Sequence, residues 1–203
     1  MVLDRSRNLL FIHIPKTGGS TIEYLLNIPL TPYNFFGIQQ GLALQHYTAQ
    51  KLKTWLGEEY FNKCCKIAMV RNPYDRTVSE YYWTMKRDKR FATTFKEFLL
   101  KIKKIIMENG YDKHPCYDHY KPQSDFVFID GKNVIDILGK FENFNAFAEE
   151  LISKFNLDKN NFGHHNKTEY DRNLNHFEDP ECRKIVNEIY GMDFINFGYE
   201  MIL

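Results

Sequence analysis

The feature that most constrains the fold is the stretch of residues 9–21, which reads Leu-Leu-Phe-Ile-His-Ile-Pro-Lys-Thr-Gly-Gly-Ser-Thr. It opens with an apolar run over residues 9–14 that has the length and composition of a buried strand. Pro15 and the pair Gly18-Gly19 then interrupt the run. Apolar residues at helical spacing follow at Ile22, Leu25 and Leu26. The stretch therefore predicts a strand, a tight loop and a helix in direct succession.

The residues of this loop suit the binding of an anion. A loop between a strand and a helix directs backbone N–H groups towards one point, and the helix dipole adds partial positive charge there. Lys16 contributes a full positive charge, and hydroxyl donors come from Thr17, Ser20 and Thr21. We interpret the loop, including Gly18 and Gly19, as a phosphate cradle. A plain strand–turn–helix with an exposed lysine is the alternative.

A second motif of the same kind begins at residue 66. Residues 66–71 form another apolar, strand-like run, Asn72-Pro73 ends it, and apolar residues at helical spacing predict a helix over 74–88. Arg71 would lie at the carboxyl end of a parallel strand, where α/β proteins bind ligands, and its guanidinium suits a phosphate. Ser79 follows eight residues later. The alternative role for Arg71 is a structural salt bridge.

Local signals predict the remaining elements. The predicted helices are a short one before Leu56, one opened by the capping box Thr94-Phe95-Lys96-Glu97 and ended by Asn109-Gly110, one capped by Asn143, and one opened by Asp179-Pro180. Strands are predicted over 126–129 and 134–141 around an Asp130-Gly131 turn, and loops over 111–125 and 158–178. Two strand–turn–helix units favour an α/β fold, with a central parallel sheet flanked by helices in P-loop-like style. Without repeats or a long linker, residues 1–203 are predicted to form a single domain.

Composition narrows the classes of partner. The formal net charge is +1, so the whole chain shows no preference for nucleic acid or another polyanion. Residues 86–104 hold eight Lys or Arg against Asp88 and Glu97, which suits either an anionic glycan or a solvated helix face. No stretch of the sequence is long enough to span a membrane. The sequence contains no CxxC motif, so a zinc site is not expected.

The order of residues in the first loop points to a family. A Walker A loop places its lysine after the glycines, whereas Lys16 precedes Gly18-Gly19. The loop resembles the 5′-phosphosulfate-binding loop of sulfotransferases that use 3′-phosphoadenosine 5′-phosphosulfate (PAPS), most closely the carbohydrate (heparan- and chondroitin-type) sulfotransferases. The stretch from Arg71 to Ser79 resembles their 3′-phosphate-binding motif. Segments 120–124, 139–143, 165–167 and 189–194 are similar to the same family.

The resemblance implies sulfuryl transfer from PAPS to an acceptor hydroxyl, on a carbohydrate, with 3′-phosphoadenosine 5′-phosphate (PAP) as product. It implies that the first loop binds the 5′-phosphosulfate, with residues Lys16, Thr17, Gly18, Gly19, Ser20 and Thr21, and that Arg71 and Ser79 bind the 3′-phosphate. Lys16 would also be catalytic, and no metal is required. His46, in Gln45-His46-Tyr47-Thr48, lies where the related enzymes carry their catalytic base. His165 and a carboxylate such as Glu142 are the alternatives.

Two rival functions are a P-loop-type kinase and a non-catalytic nucleotide- or glycan-binding module. The kinase predicts a Walker A Gly-Lys-Ser/Thr and an Asp at a strand end, whereas the sequence gives Lys16 before the glycines and Arg71 after the strand. Family members of the Golgi carry an N-terminal anchor. Because no stretch of this sequence is long enough to be such an anchor, we expect either a soluble intracellular enzyme or a chain whose anchor has been removed. The short chain suggests a small acceptor, or a microbial or viral glycan.

Overall fold

The computed structural model describes residues 2–27, 38–39, 42–87, 93–109, 117–162 and 175–203. Contacts between Cα atoms divide the chain into two compact units, each built from two separate segments. Unit 1 comprises residues 1–71 and 123–166, and unit 2 comprises residues 72–122 and 167–203. The single domain over residues 1–203 stays a prediction from the sequence.

All the described strands belong to unit 1. They are β1 (Val2–Asp4), β2 (Leu9–Ile12), β3 (Ile38–Gln39), β4 (Leu42–Ala43), β5 (Cys65–Val70), β6 (Phe128–Ile129), β7 (Lys132–Asn133) and β8 (Ile137–Lys140). The central sheet has the order β1-β2-β5-β8, in which β2, β5 and β8 run parallel and β1 pairs antiparallel with β2. The predicted α/β fold with a parallel-containing central sheet is confirmed, and β1 is an edge strand that the sequence did not predict.

The helices are divided between the two units. They are α1 (Gly19–Leu25), α2 (Ala49–Leu56), α3 (Glu58–Lys63), α4 (Pro73–Arg87), α5 (Phe95–Lys104), α6 (Tyr117–Tyr120), α7 (Ser124–Val127), α8 (Phe144–Phe155) and α9 (Pro180–Phe197). Unit 2 contains α4, α5, α6 and α9, and unit 1 contains the others. No helix in the described part of the chain has both the length and the hydrophobicity needed to cross a membrane.

The core of unit 1 lies between the sheet and the helices that flank it. Leu9 and Phe11 of β2 lie on one face of the sheet, as do Ile67 and Met69 of β5. These four residues pack against α1 and α8. Leu10 and the other residues of the opposite face are equally buried. Burial of both faces is the usual state of parallel strands and explains why these strands read as continuous apolar runs.

The segment 124–141 departs from its prediction. The residues predicted as a strand over 126–129 begin as helix α7, and only β6 is extended. The Asp130-Gly131 turn is confirmed, with φ of 49° and 74°, but it joins β6 to the short β7. The predicted strand over 134–141 is shorter and pairs in parallel with β5. Local alternation shows that a strand is present, but not which distant strand will be its partner.

Unit 2 is helical and its core is aromatic. Helices α4, α5 and α9 enclose a cluster of Tyr74, Phe95, Phe98, Tyr120, Tyr190 and Phe194 with aliphatic neighbours. The capping box is confirmed, since Thr94 accepts from the N–H of Glu97 and Glu97 accepts from that of Thr94. Asp179 caps α9 by accepting from the N–H of Glu181, with Pro180 at the first position. Local capping chemistry therefore predicted where these two helices begin.

The basic segment 86–104 is partly neutralised within unit 2. Lys96 of α5 forms ion pairs with Glu181 and, at 3.2 Å, with Asp179. Lys103 pairs with Glu188 of α9 at 2.6 Å. Residues 88–92 lie outside the described residues. For α5, the ion pairs favour the interpretation of a solvated helix face over that of a glycan-binding surface.

Candidate active site

The loop predicted as a phosphate cradle is a tight turn over residues 15–18 that leads directly into α1. Lys16 and Gly18 are both in the left-handed region, with φ of 66° and 83°. The hydroxyl of Thr17, which is fully buried, donates to the carbonyl of Ile14 at 2.9 Å. The N–H of Thr21 donates to the carbonyl of Gly18 at 3.1 Å. Turns of this kind are the backbone form in which successive N–H groups converge on an anion.

Both glycines of the loop are required by their surroundings. A Cβ on Gly18 would lie 3.0 Å from ring carbons of Phe141 and Phe144, and the positive φ there already disfavours a side chain. A Cβ on Gly19 would lie 2.3 Å from Cδ2 of His13, closer than real Cβ atoms approach other atoms. The helix therefore starts in direct contact with the imidazole ring of His13, the residue that follows β2.

That imidazole is held by a carboxylate. Nδ1 of His13 lies 2.7 Å from Oε1 of Glu23, and the two residues are 5% and 4% exposed. Glu23 is on α1, four residues after Gly19, so the two share one face of the helix. A buried carboxylate is costly unless it is hydrogen-bonded, and His13 supplies that bond. No local pattern in the sequence marks Glu23 as a functional residue.

His46, the predicted base, ends a short 3-10 helix over Leu44–His46, just before the Thr48 cap of α2. It is 8% exposed, and its ring is nearly perpendicular to that of His13, with centroids 5.1 Å apart. Nε2 of His46 is 2.9 Å from Nε2 of Gln45. An amide nitrogen only donates, so in this arrangement Nε2 of His46 is the acceptor of the contact.

The backbone of Arg71 is clamped by a distant glutamine. Its N–H donates to Oε1 of Gln123 at 2.9 Å, and Nε2 of Gln123 donates to its carbonyl at 2.8 Å. Gln123 is fully buried and 52 residues away in sequence. Its side chain thus continues the hydrogen bonding of β5 beyond the end of the strand. The only sequence signal for Gln123 was its place in the family-like segment 120–124.

The side chain of Arg71 reaches the first loop. Nη1 donates to the carbonyl of Lys16 at 3.3 Å, and the guanidinium lies 4.3 Å from the centroid of the Phe141 ring. Arg71 is 9% exposed. The structure therefore brings together two cationic residues that the sequence assigned to separate phosphate-binding motifs. Phe141 belongs to the family-like segment 139–143, but nothing local indicated that it would lie against Arg71.

The other predicted site residues do not all lie in the same unit. Lys16 and Ser20 are half-buried and Thr21 is 4% exposed, all in unit 1. Ser79 lies on α4 in unit 2 and is 5% exposed. Glu142 is exposed in the turn that precedes α8, and His165 lies outside the described residues.

Comparison with known proteins assigns the family. A family model described as "Sulfotransferase family" matches residues 1–200. No curated protein and no solved structure is significantly similar to the chain. The match includes both strand–turn–helix motifs and every described element of the two units. The chain therefore belongs to the sulfotransferase family, whose members transfer a sulfuryl group.

Proposed function

We propose that this protein transfers a sulfuryl group from PAPS to a hydroxyl group of a carbohydrate and releases PAP. The observation that carries the proposal is the hydrogen bond from Arg71 to the carbonyl of Lys16. It joins two motifs whose likeness to the 5′-phosphosulfate and 3′-phosphate sites was noted separately. PAPS carries anionic groups at both of those positions, so a contact between the two motifs supports PAPS over a nucleotide with one phosphate chain.

The residues of the first loop suit the phosphosulfate end of PAPS. Gly18 and Gly19 keep side chains away from the backbone, and the hydroxyl of Ser20 is half-buried at the start of α1. Lys16, Thr17, Gly18, Gly19, Ser20 and Thr21 would hold this end through backbone N–H groups, hydroxyls and one ammonium group. Arg71 would contact the 3′-phosphate. For Ser79 the same role rests on the sequence motif alone.

The chemistry divides between Lys16 and His46. PAPS supplies the sulfuryl group in activated form. Lys16 would stabilise the charge that builds on the oxygen of the departing 5′-phosphate. His46 would take the proton of the acceptor hydroxyl, which a neutral imidazole ring can do. In this role a hydroxyl bound at His46 would donate to a ring nitrogen, and Nε2, which lies 2.9 Å from Nε2 of Gln45, is a candidate for that acceptor.

The proposal of a carbohydrate acceptor rests on the sequence of the first motif, which resembles that of the carbohydrate sulfotransferases. Among the alternative bases, Glu142 is exposed in the turn before α8. The non-catalytic nucleotide- or glycan-binding module is still an alternative. It differs from the enzyme in that it would bind PAP without transferring a sulfuryl group. The family assignment favours sulfuryl transfer over the kinase.

Titration calorimetry with PAP and with ATP tests the donor site. We expect PAP to bind in the micromolar range, about −8 kcal/mol, and ATP to bind much more weakly because it lacks the 3′-phosphate. A screen of carbohydrate acceptors with labelled PAPS then tests transfer, and saturating EDTA should leave the rate largely unchanged. Equal affinity for ATP and PAP would contradict the assignment of Arg71, and PAP binding without transfer to any acceptor would favour the binding module.

A further inference from the structure

We propose that His13, fixed by Glu23, is a positioning residue that sets the cofactor loop and the base His46 relative to each other. The inference rests on the proposed function. His13 directly follows β2 and precedes the turn over residues 15–18. Three contacts of its ring, all within unit 1, carry the argument.

The first contact fixes the orientation of the ring. The hydrogen bond between Nδ1 and Glu23 turns that edge of the imidazole towards α1. A leucine at position 23 would satisfy the burial of the helix without the cost of a buried carboxylate. The carboxylate fixes the rotation of the imidazole ring about its χ2 bond, because only one rotation keeps Nδ1 within hydrogen-bond distance. An apolar side chain would not select that rotation.

The second contact is with the cofactor loop. The opposite edge of the ring, Cδ2 and Nε2, lies against Gly19, where a Cβ would be 2.3 Å and 2.4 Å from these two atoms. Gly19 is the first residue of α1 and part of the predicted phosphosulfate loop. Since Glu23 is on the same helix, the ring is held between two residues of α1 one turn apart. A shift of the ring would therefore move the start of the helix.

The third contact is with the base. The rings of His13 and His46 meet edge to face, with an interplanar angle of 82° and centroids 5.1 Å apart. The same imidazole therefore touches the residue that would take the proton and the loop that would hold the sulfuryl donor. Misplacement by about 1 Å can cost about 100-fold in rate, so a residue that fixes this separation affects turnover without touching substrate.

His13→Asn is the variant that separates these contacts. The amide nitrogen of asparagine takes approximately the place of Nδ1 and can still donate to Glu23, so the carboxylate keeps its partner. The rest of the ring is lost, which includes the edge against Gly19 and the ring contact with His46. The experiment measures kcat, the KM for PAPS and PAP affinity for the wild type, His13→Asn, His46→Asn and the double variant.

We expect His13→Asn to lower kcat by about 10- to 100-fold. The double variant should be no slower than His46→Asn alone, within about twofold, because His13 acts through His46. PAP affinity should fall by a few-fold in His13→Asn and in the double variant, since the support of Gly19 is lost in both. Effects on kcat that multiply in the double variant would overturn the inference, as would unchanged kcat in His13→Asn.

Two further variants exclude a general loss of stability. Glu23→Leu fills position 23 with a buried apolar side chain but removes the oxygen that bonds Nδ1 of His13, so it should lower kcat in the same direction as His13→Asn. Ile152→Ala removes a buried residue of α8 from the core of unit 1 and should lower thermal stability without changing kcat of the folded protein. A loss of kcat in Ile152→Ala as large as in His13→Asn would overturn the inference. If the wild type binds PAP but transfers nothing, both the proposed function and the role of His13 fail. If the wild type is active but the effects of the two substitutions on kcat multiply, only the role of His13 fails.

Discussion

The two strand–turn–helix motifs start their helices by different means. At the first, α1 begins after Gly18, which is left-handed and makes no side-chain cap in the described structure. At the second, the side chain of Asn72 accepts from the N–H of Tyr74 at 2.9 Å, and its carbonyl accepts from the N–H of Arg76 at 2.9 Å. Pro73 is the first residue of α4 and has no N–H to satisfy.

This difference bears on how each motif can hold an anion. A capped helix start has already used one of its N–H donors on a side chain. The second motif is therefore expected to act through the side chain of Arg71, and the first through its backbone together with Lys16. The positions of glycine agree with this division, since Gly18 and Gly19 are in the first turn and the second has none. Variants of the two motifs are therefore expected to differ in how strongly they affect PAP binding and turnover.

The largest effects are expected for the cation of the first turn and for the base. His46→Ala should lower kcat by about 10²- to 10⁴-fold while PAP affinity barely changes, because the base faces the acceptor. Lys16→Ala should reduce both kcat and PAP affinity, because the ammonium group acts on the phosphosulfate end before and during transfer. Steady-state kinetics and calorimetry on the two variants separate the roles.

The pH profile gives a second readout of His46. The wild-type rate should fall on the acid side, around the pH of about 6.5 where an imidazole ordinarily takes up a proton, because only the neutral ring accepts one from the acceptor. Near-normal turnover in His46→Ala would transfer the role of base to His165 or Glu142. Loss of PAP binding in His46→Ala would instead indicate a structural role.

An intermediate effect is expected at the second turn. Arg71→Ala should weaken PAP by about 10- to 100-fold, the usual contribution of hydrogen bonds to a charged group. Adenosine 5′-phosphosulfate lacks the 3′-phosphate, so its binding should change much less. Arg71→Lys serves as the matched variant and should restore only part of the affinity, since an ammonium group cannot make the bidentate contact. An equal loss for both ligands would mean that Arg71 acts mainly on the first loop through Lys16.

The smallest effects compare the two helix starts directly. Gly19→Ala forces a Cβ against His13 and should cost about 1–3 kcal/mol of unfolding free energy together with PAP affinity. Asn72→Ala removes only a cap and should cost about 1 kcal/mol, with PAP affinity retained within a few-fold. Urea unfolding and calorimetry measure both quantities. If Asn72→Ala weakened PAP as strongly as Gly19→Ala, the proposed division between the two turns would be wrong.

Much of the fold could be predicted because its signals are local. The strands β2 and β5 are continuous apolar runs, and the starts of α5 and α9 are marked by side chains that cap them within three residues. The Asp130-Gly131 turn was predicted from two adjacent residues that tolerate positive φ. Strand partners were predicted less well, as β8 shows, because pairing depends on residues far away in sequence.

The two turns, the cation of each and the order of the strand–turn–helix motifs could be predicted because glycine, proline and lysine act at their own positions in the chain. The contacts between side chains that are far apart in sequence depend on the fold. Gln123 clamps Arg71 from 52 residues away, and His13 takes Glu23 on one edge and Gly19 on the other. The physical reason is that a buried polar group must find a hydrogen-bond partner wherever the fold brings one, and no local pattern records where that will be.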